Sequence, residues 1–152
     1  MGSILSLSEL IGLDGIVIEE GDMSVDCAID LCCATLIKKG KVSISYSDAI
    51  KKSHKELGPY YVLAPKIAMP HARPEDGVNE MGLQLTVFKH GVDFESEDNG
   101  SVFLAITLAA IDSKSHIETI MQLSELFQND NDVESIIKSN SAHEIFNILE
   151  QY

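Results

Sequence analysis

At 152 residues and 45% hydrophobic content, the chain is long enough for one globular domain spanning 1–152, and too apolar to remain disordered. A formal net charge of −13 argues against nucleic acid or an anionic membrane as a direct partner, since nothing would neutralise phosphates. No apolar run reaches the roughly 20 residues of a membrane span, and no basic segment followed by an apolar stretch marks a signal peptide.

A short apolar segment, Ile4 to Ile11, precedes Asp14-Gly15 and an extended Ile16-Val17-Ile18. The spacing of Val25, Ala28, Ile29, Cys32 and Leu36 predicts a helix from about Ser24 to Lys39, ended by Gly40. A second helix is predicted over Tyr46 to Leu57, stopped by Gly58-Pro59. The period then changes. Tyr60 to Ala64 and Lys66 to Met69 read as strands separated by Pro65. Leu83, Leu85 and Val87 alternate with polar or smaller residues, the pattern of a half-buried strand. Val102 to Ile111 is apolar almost throughout, as expected of a central strand buried on both faces. Helical spacing returns at Ile117, Ile120, Met121, Ser124 and Phe127, and two short helices follow at about Val133 to Lys138 and Ala142 to Glu150. This order implies a single-domain α/β fold, a three-layer α/β/α sandwich with a small mixed β-sheet flanked by helices.

Cys27, Cys32 and Cys33 fit neither a disulfide framework nor a zinc pattern, and read as reduced, mostly buried thiols of a cytoplasmic protein. No metal site or Gly-rich nucleotide loop has the required spacing, so no cofactor is expected.

The chemistry-bearing stretch is Met69-Pro70-His71-Ala72-Arg73-Pro74-Glu75-Asp76-Gly77-Val78. Two prolines fix φ on either side of His71 and make its loop stiff, and Arg73 supplies a cation nearby. The competing readings are a structural histidine bonded to Glu75 or Asp76, and an Arg73 spent on an ion pair with the same acids. His116 is the second candidate. Ser115-His116-Ile117-Glu118 matches a capping box with Ser115 as N-cap, which places His116 in the first turn of a helix, where backbone N–H groups and the dipole disfavour a cationic imidazole. Ser141-Ala142-His143-Glu144 matches the same pattern but opens a terminal helix. His54, His90 and His143 read as solvated surface histidines.

Gly58-Pro59-Tyr60-Tyr61-Val62 and Ile67-Ala68-Met69-Pro70-His71-Ala72-Arg73-Pro74 resemble the active-site region of phosphotransferase-system enzyme IIA domains of the mannitol/fructose type. The form Pro-His-Ala-Arg-Pro-Glu-Asp-Gly-Val looks closest to the ascorbate-specific branch. The resemblance continues through Leu104 to Ile111, Asp112-Ser113-Lys114-Ser115-His116-Ile117 and Leu123-Ser124-Glu125-Leu126-Phe127. It implies a cytoplasmic phosphoryl carrier in which the histidine matching His71 accepts phosphate from phospho-HPr. The group then passes to a cysteine of enzyme IIB, which phosphorylates a sugar entering through the membrane permease IIC. The histidine matching His116 supports the reaction, and an ungapped count places the family's upstream basic residue at Lys55. Three alternatives stand beside this reading: a regulatory enzyme IIA that signals phosphorylation state by binding a target, an enzyme IIA for a different sugar or polyol, and a non-catalytic binding module.

Such a relay requires an unprotonated acceptor nitrogen, its tautomer fixed by a hydrogen bond at the other nitrogen, with Nε2 the acceptor by family analogy. It also requires positive charge at the transferred oxygens, from Arg73 or the helix start near Ser115, and an apolar surround that excludes water.

Overall fold

A computed structural model describes residues 5–152, so Ile4, the first residue of the predicted N-terminal apolar segment, lies outside the described residues. A short helix α1 (Leu7–Ile11) leads into strand β1 (Ile16–Glu19) and helices α2 (Val25–Lys38) and α3 (Ile44–Leu57). Strands β2 (Val62–Ala64), β3 (Lys66–Ala68), β4 (Gly82–Val92) and β5 (Val102–Ala109) follow. Helices α4 (Ser113–Phe127), α5 (Asp130–Lys138) and α6 (Ala142–Leu149) close the chain.

The five strands form one mixed sheet in the order β1-β4-β5-β3-β2, with β5 at its centre. β1 runs parallel to β4 and β3 parallel to β5, while β4–β5 and β2–β3 are antiparallel. Alternation along β4 and β5 sorts the core into two halves. Leu83, Leu85 and Val87 with Leu104, Ile106 and Leu108 meet α1, α4, α5 and α6 on one face. Phe88, Ala105 and Ala109 meet α2 and α3 on the other. The layered α/β/α sandwich expected from the sequence is therefore the observed one.

Three local expectations need correction. β4 is buried on both faces, not one, because Gln84 and Thr86 are fully buried. The Gln84 amide is satisfied inside α2: its Oε1 accepts from the Thr35 N–H at 2.8 Å, and its Nε2 donates to the Leu31 carbonyl at 2.7 Å and to Thr86 Oγ1 at 2.9 Å. A polar residue on an alternating strand reads as solvent-facing, and only a partner from a distant helix makes it a core residue. Helix α4 begins at Ser113, capped by Asp112, whose Oδ1 accepts from the Ser115 N–H at 2.8 Å; Ser115 is not the cap. Of its expected apolar stripe, Ile120 and Phe127 pack on the core beside the buried Thr119, Leu123 and Leu126, while Ile117 (58%) and Met121 (65%) are exposed. The matching pattern at Ser141 also forms no side-chain cap. Of the three cysteines, Cys32 and Cys33 are buried in α2 and Cys27 is exposed.

Candidate functional site

The loop carrying His71 hangs from the centre of the sheet. The Leu108 N–H, near the end of β5, donates to the Pro70 carbonyl at 3.0 Å, and the Met69 N–H donates to the Tyr61 carbonyl at 2.9 Å. Tyr46, fully buried on α3, latches the other side: its hydroxyl donates to the Leu108 carbonyl at 2.6 Å and accepts from the Ala72 N–H at 3.0 Å. Burial pushes the Tyr46 phenol far up, so this donor keeps its proton. Beyond Arg73, a single 3-10 turn at Pro74–Asp76 ends at Gly77, whose φ is 135°. A Cβ there would stand 2.4 Å from Ser43 Oγ and 2.6 Å from Ser45 Oγ. Glycine is required both by the dihedral and by this close approach to the start of α3.

His71 is half-buried, and its Nδ1 lies 2.8 Å from the Met69 carbonyl oxygen. A carbonyl can only accept, so Nδ1 carries the hydrogen, and in the neutral ring it is Nε2 that holds the lone pair. Tyr60 fixes the residue from a second direction: its hydroxyl donates to the His71 carbonyl at 2.5 Å, and its ring meets the imidazole edge-on at 5.4 Å between centroids.

The His116 ring lies 6.3 Å from that of His71, inclined at 61°. As the fourth residue of α4, His116 uses its backbone N–H in the bond to the Asp112 carbonyl at 3.1 Å. Burial first, and the neighbouring charge of His71 second, hold its pKa below the ordinary imidazole value. His116 is thus neutral at neutral pH, as the sequence argument expects, but desolvation is the main cause where the helix dipole was invoked.

Both histidines open into a cleft of about 900 Å³ between α3, the His71 loop and the start of α4. Arg73 lines this cleft, is exposed, and makes no ion pair among the described residues. The acid beside it is used differently: Asp76 Oδ2 accepts from the Arg73 backbone N–H at 3.0 Å. Lys55 does not join the site. It lines a separate depression with His54, Gly58, Pro59 and Glu95, whereas Lys52, one turn earlier on α3, lines the His71 cleft. The ungapped count lands one turn beyond Lys52, close to the end of α3 at Leu57, where the side chain lines the neighbouring depression instead.

His54 also departs from expectation. It is 5% exposed, with Nδ1 2.8 Å from the Tyr61 hydroxyl and Nε2 2.7 Å from Glu95 Oε1. Its spacing from Tyr46 and Ile50, four residues per step on the buried face of α3, is the signal that places it inside. His90 and His143 are exposed, as expected.

Residues 9–152 match the family described as "Phosphoenolpyruvate-dependent sugar phosphotransferase system, EIIA 2". The chain is 41% identical over 122 residues to the mannitol-specific cryptic phosphotransferase enzyme IIA component of Escherichia coli K12, covering 80% of this chain and 82% of that protein. It is 35% identical over 129 residues to the ascorbate-specific PTS system EIIA component of Salmonella typhimurium, covering 84% of this chain and 81% of the relative. The solution structure of the Escherichia coli mannitol-specific cryptic enzyme IIA superposes with a TM-score of 0.90 at 36% identity, over 97% of this chain and all of that one. The chain therefore belongs to the EIIA 2 family of sugar phosphotransferase systems, as a phosphotransferase component that carries the phosphoryl group on histidine.

Proposed function

We propose that His71 is the phosphoryl acceptor, loaded by phospho-HPr and unloaded onto a cysteine of an enzyme IIB, in a cytoplasmic carrier serving sugar uptake through a IIC permease. The observation that carries this reading is the Nδ1–H bond to the Met69 carbonyl, which makes Nε2 the nitrogen that holds the lone pair of the neutral ring, in the open cleft. Attack by the Nε2 lone pair forms the new N–P bond as the donor's N–P bond breaks. The proton stays on Nδ1, so the loaded ring carries positive charge that the Met69 carbonyl offsets. On unloading, the ring departs as the same neutral Nδ1–H tautomer. One tautomer serves as nucleophile and as leaving group, which suits a reversible relay.

The transition state of phosphoryl transfer is loose and in-line, so positioning and charge are the main contributions of the protein. Arg73 and Lys52 supply mobile cations at the cleft, and the opening of α4 at Ser113 supplies backbone donors. Neutral His116 adds an N–H donor for a phosphoryl oxygen without repelling the charged His71 ring. Leu57 and Ile117, both exposed at the cleft, with Met121 one turn further along α4, form an apolar rim on which donor and acceptor dock in turn.

For the transported solute we propose L-ascorbate, on the wording of the Pro-His-Ala-Arg-Pro-Glu-Asp-Gly-Val segment. The mannitol-specific relative supports a polyol as the second reading. The carrier assignment is tested by incubation with enzyme I, HPr and phosphoenolpyruvate followed by intact mass. The parent gains one phosphoryl group and His71→Ala gains none; full labelling of the variant overturns the assignment. Transfer from the loaded protein to ascorbate-type and mannitol-type enzyme IIB separates the two solutes.

A further inference from the structure

We propose that His54, held between Glu95 and Tyr61, is a positioning residue for His71, acting from the far side of the hairpin that carries it. The proposal rests on His71 being the acceptor. The polar chain is complete. An ionised Glu95 can only accept, so His54 Nε2 carries the hydrogen toward Oε1, and in the neutral ring Nδ1 accepts from the Tyr61 hydroxyl. Every donor and acceptor of this buried imidazole is thereby used in its neutral form.

Glu95 sits at the end of this chain with φ +70°, a left-handed conformation that a glutamate adopts only where its surroundings hold it. Its N–H donates to Asp93 Oδ1 at 2.7 Å, and the resulting turn aims the carboxylate at His54.

From Tyr61 two routes reach the acceptor. Its carbonyl takes the Met69 N–H at 2.9 Å, and the Met69 carbonyl in turn takes the His71 Nδ1–H at 2.8 Å. Its ring packs edge-on against Tyr60 at 5.0 Å, and Tyr60 holds the His71 ring and carbonyl. Anchoring the Tyr61 hydroxyl therefore sets where the Met69 carbonyl stands, and with it the tautomer of His71.

The test compares the full chain with Tyr61→Phe, Glu95→Ala and Glu95→Gln, read by nitrogen-15 spectra of the histidine rings above the ordinary imidazole titration range. Labelling rate by phospho-HPr and melting temperature are measured alongside. Tyr61→Phe keeps the buried ring and so guards against simple unfolding. In the parent, His71 is the Nδ1–H tautomer and His54 the Nε2–H tautomer. Tyr61→Phe and Glu95→Ala raise the Nε2–H form of His71 and slow labelling roughly fivefold, the factor a single net hydrogen bond carries. Glu95→Gln, which keeps the accepting oxygen, restores the parent tautomer and rate. Variants that lose melting temperature while keeping the parent His71 tautomer and labelling rate overturn the proposal, as does a parent His71 protonated at Nε2. A parent that never labels at His71, yet whose His71 tautomer responds to Tyr61→Phe, sinks the carrier assignment and leaves the positioning role standing.

Discussion

Replacing Tyr46 with phenylalanine removes one oxygen atom from a fully buried position, and the geometry sets the cost. The hydroxyl makes two bonds, donating to the Leu108 carbonyl at 2.6 Å and accepting from the Ala72 N–H at 3.0 Å. Each contributes about 1 kcal/mol net, and leaving a partly buried backbone N–H without an acceptor adds about 1–2 kcal/mol, so the loss is about 3–4 kcal/mol. At ~2–4 °C per kcal/mol for a chain of this size, the melting temperature falls by roughly 5–15 °C. Urea unfolding followed by far-ultraviolet circular dichroism measures the loss directly, with an unchanged denaturant slope showing that the unfolded state is the same. Because Ala72 adjoins His71, labelling by phospho-HPr also slows at temperatures where the variant is fully folded. A loss below about 0.5 kcal/mol, the range of ordinary surface substitutions, refutes the latch.

Three further outcomes follow from the same geometry. The pKa of His116 is lowered by burial and then by the charge of His71, so the unfolded chain takes up this proton at higher pH than the folded one. The stability it contributes is present above the ordinary imidazole value of about 6.5 and is lost as pH falls through the lower folded value. Denaturation midpoints across that window flatten in His116→Gln, and an unchanged pH slope counts against the assignment. His116→Ala slows phosphoryl acceptance while His71 still becomes labelled; a stable phosphoryl group found on His116 of the parent reverses the two roles. Gly77→Ala costs about 1–3 kcal/mol, because it combines a φ of 135° with a Cβ 2.4 Å from Ser43 Oγ, and parent-like urea unfolding contradicts that. Lys52→Ala lowers the rate of His71 labelling more than Lys55→Ala does, and the opposite order removes Lys52 from the cleft's chemistry.

Much of this architecture was legible in the residues, and what escaped has physical causes. The periods of 3.6 and 2 located helices α2 to α6 and the core of each strand, because burial of one face is what they encode, whereas α1 is too short to show a period and read only as an apolar segment. The stiff segment around His71 was visible because proline acts locally. Interactions between distant segments were not. Gln84 reads as a surface residue until Thr35 and Leu31 of α2 are seen to take both ends of its amide. His54 sits among lysines in sequence, yet it turns inward to Tyr61 and Glu95, the latter 41 positions away. The start of α4 was misplaced because Ser115 and Asp112 are both good caps, and only the three-dimensional contact of Asp112 with the Ser115 N–H decides between them. Lys52 and Lys55 lie on neighbouring turns of α3, and the sequence does not tell which turn the His71 loop passes.

Leu108 offers its N–H to Pro70 and its carbonyl to Tyr46, so a single residue of the central strand grips both sides of the His71 loop. The His71 imidazole is in effect bolted to the central strand of the sheet. A mount fixed in this way does not reshape itself for successive visitors, so in the proposed relay donor and acceptor must present the same convex contour and the same line of approach. Discrimination between them then falls to the mobile rim, where a few side chains can be altered without disturbing the mount. New partners are accordingly acquired by changing that rim while the central strand stays as it is.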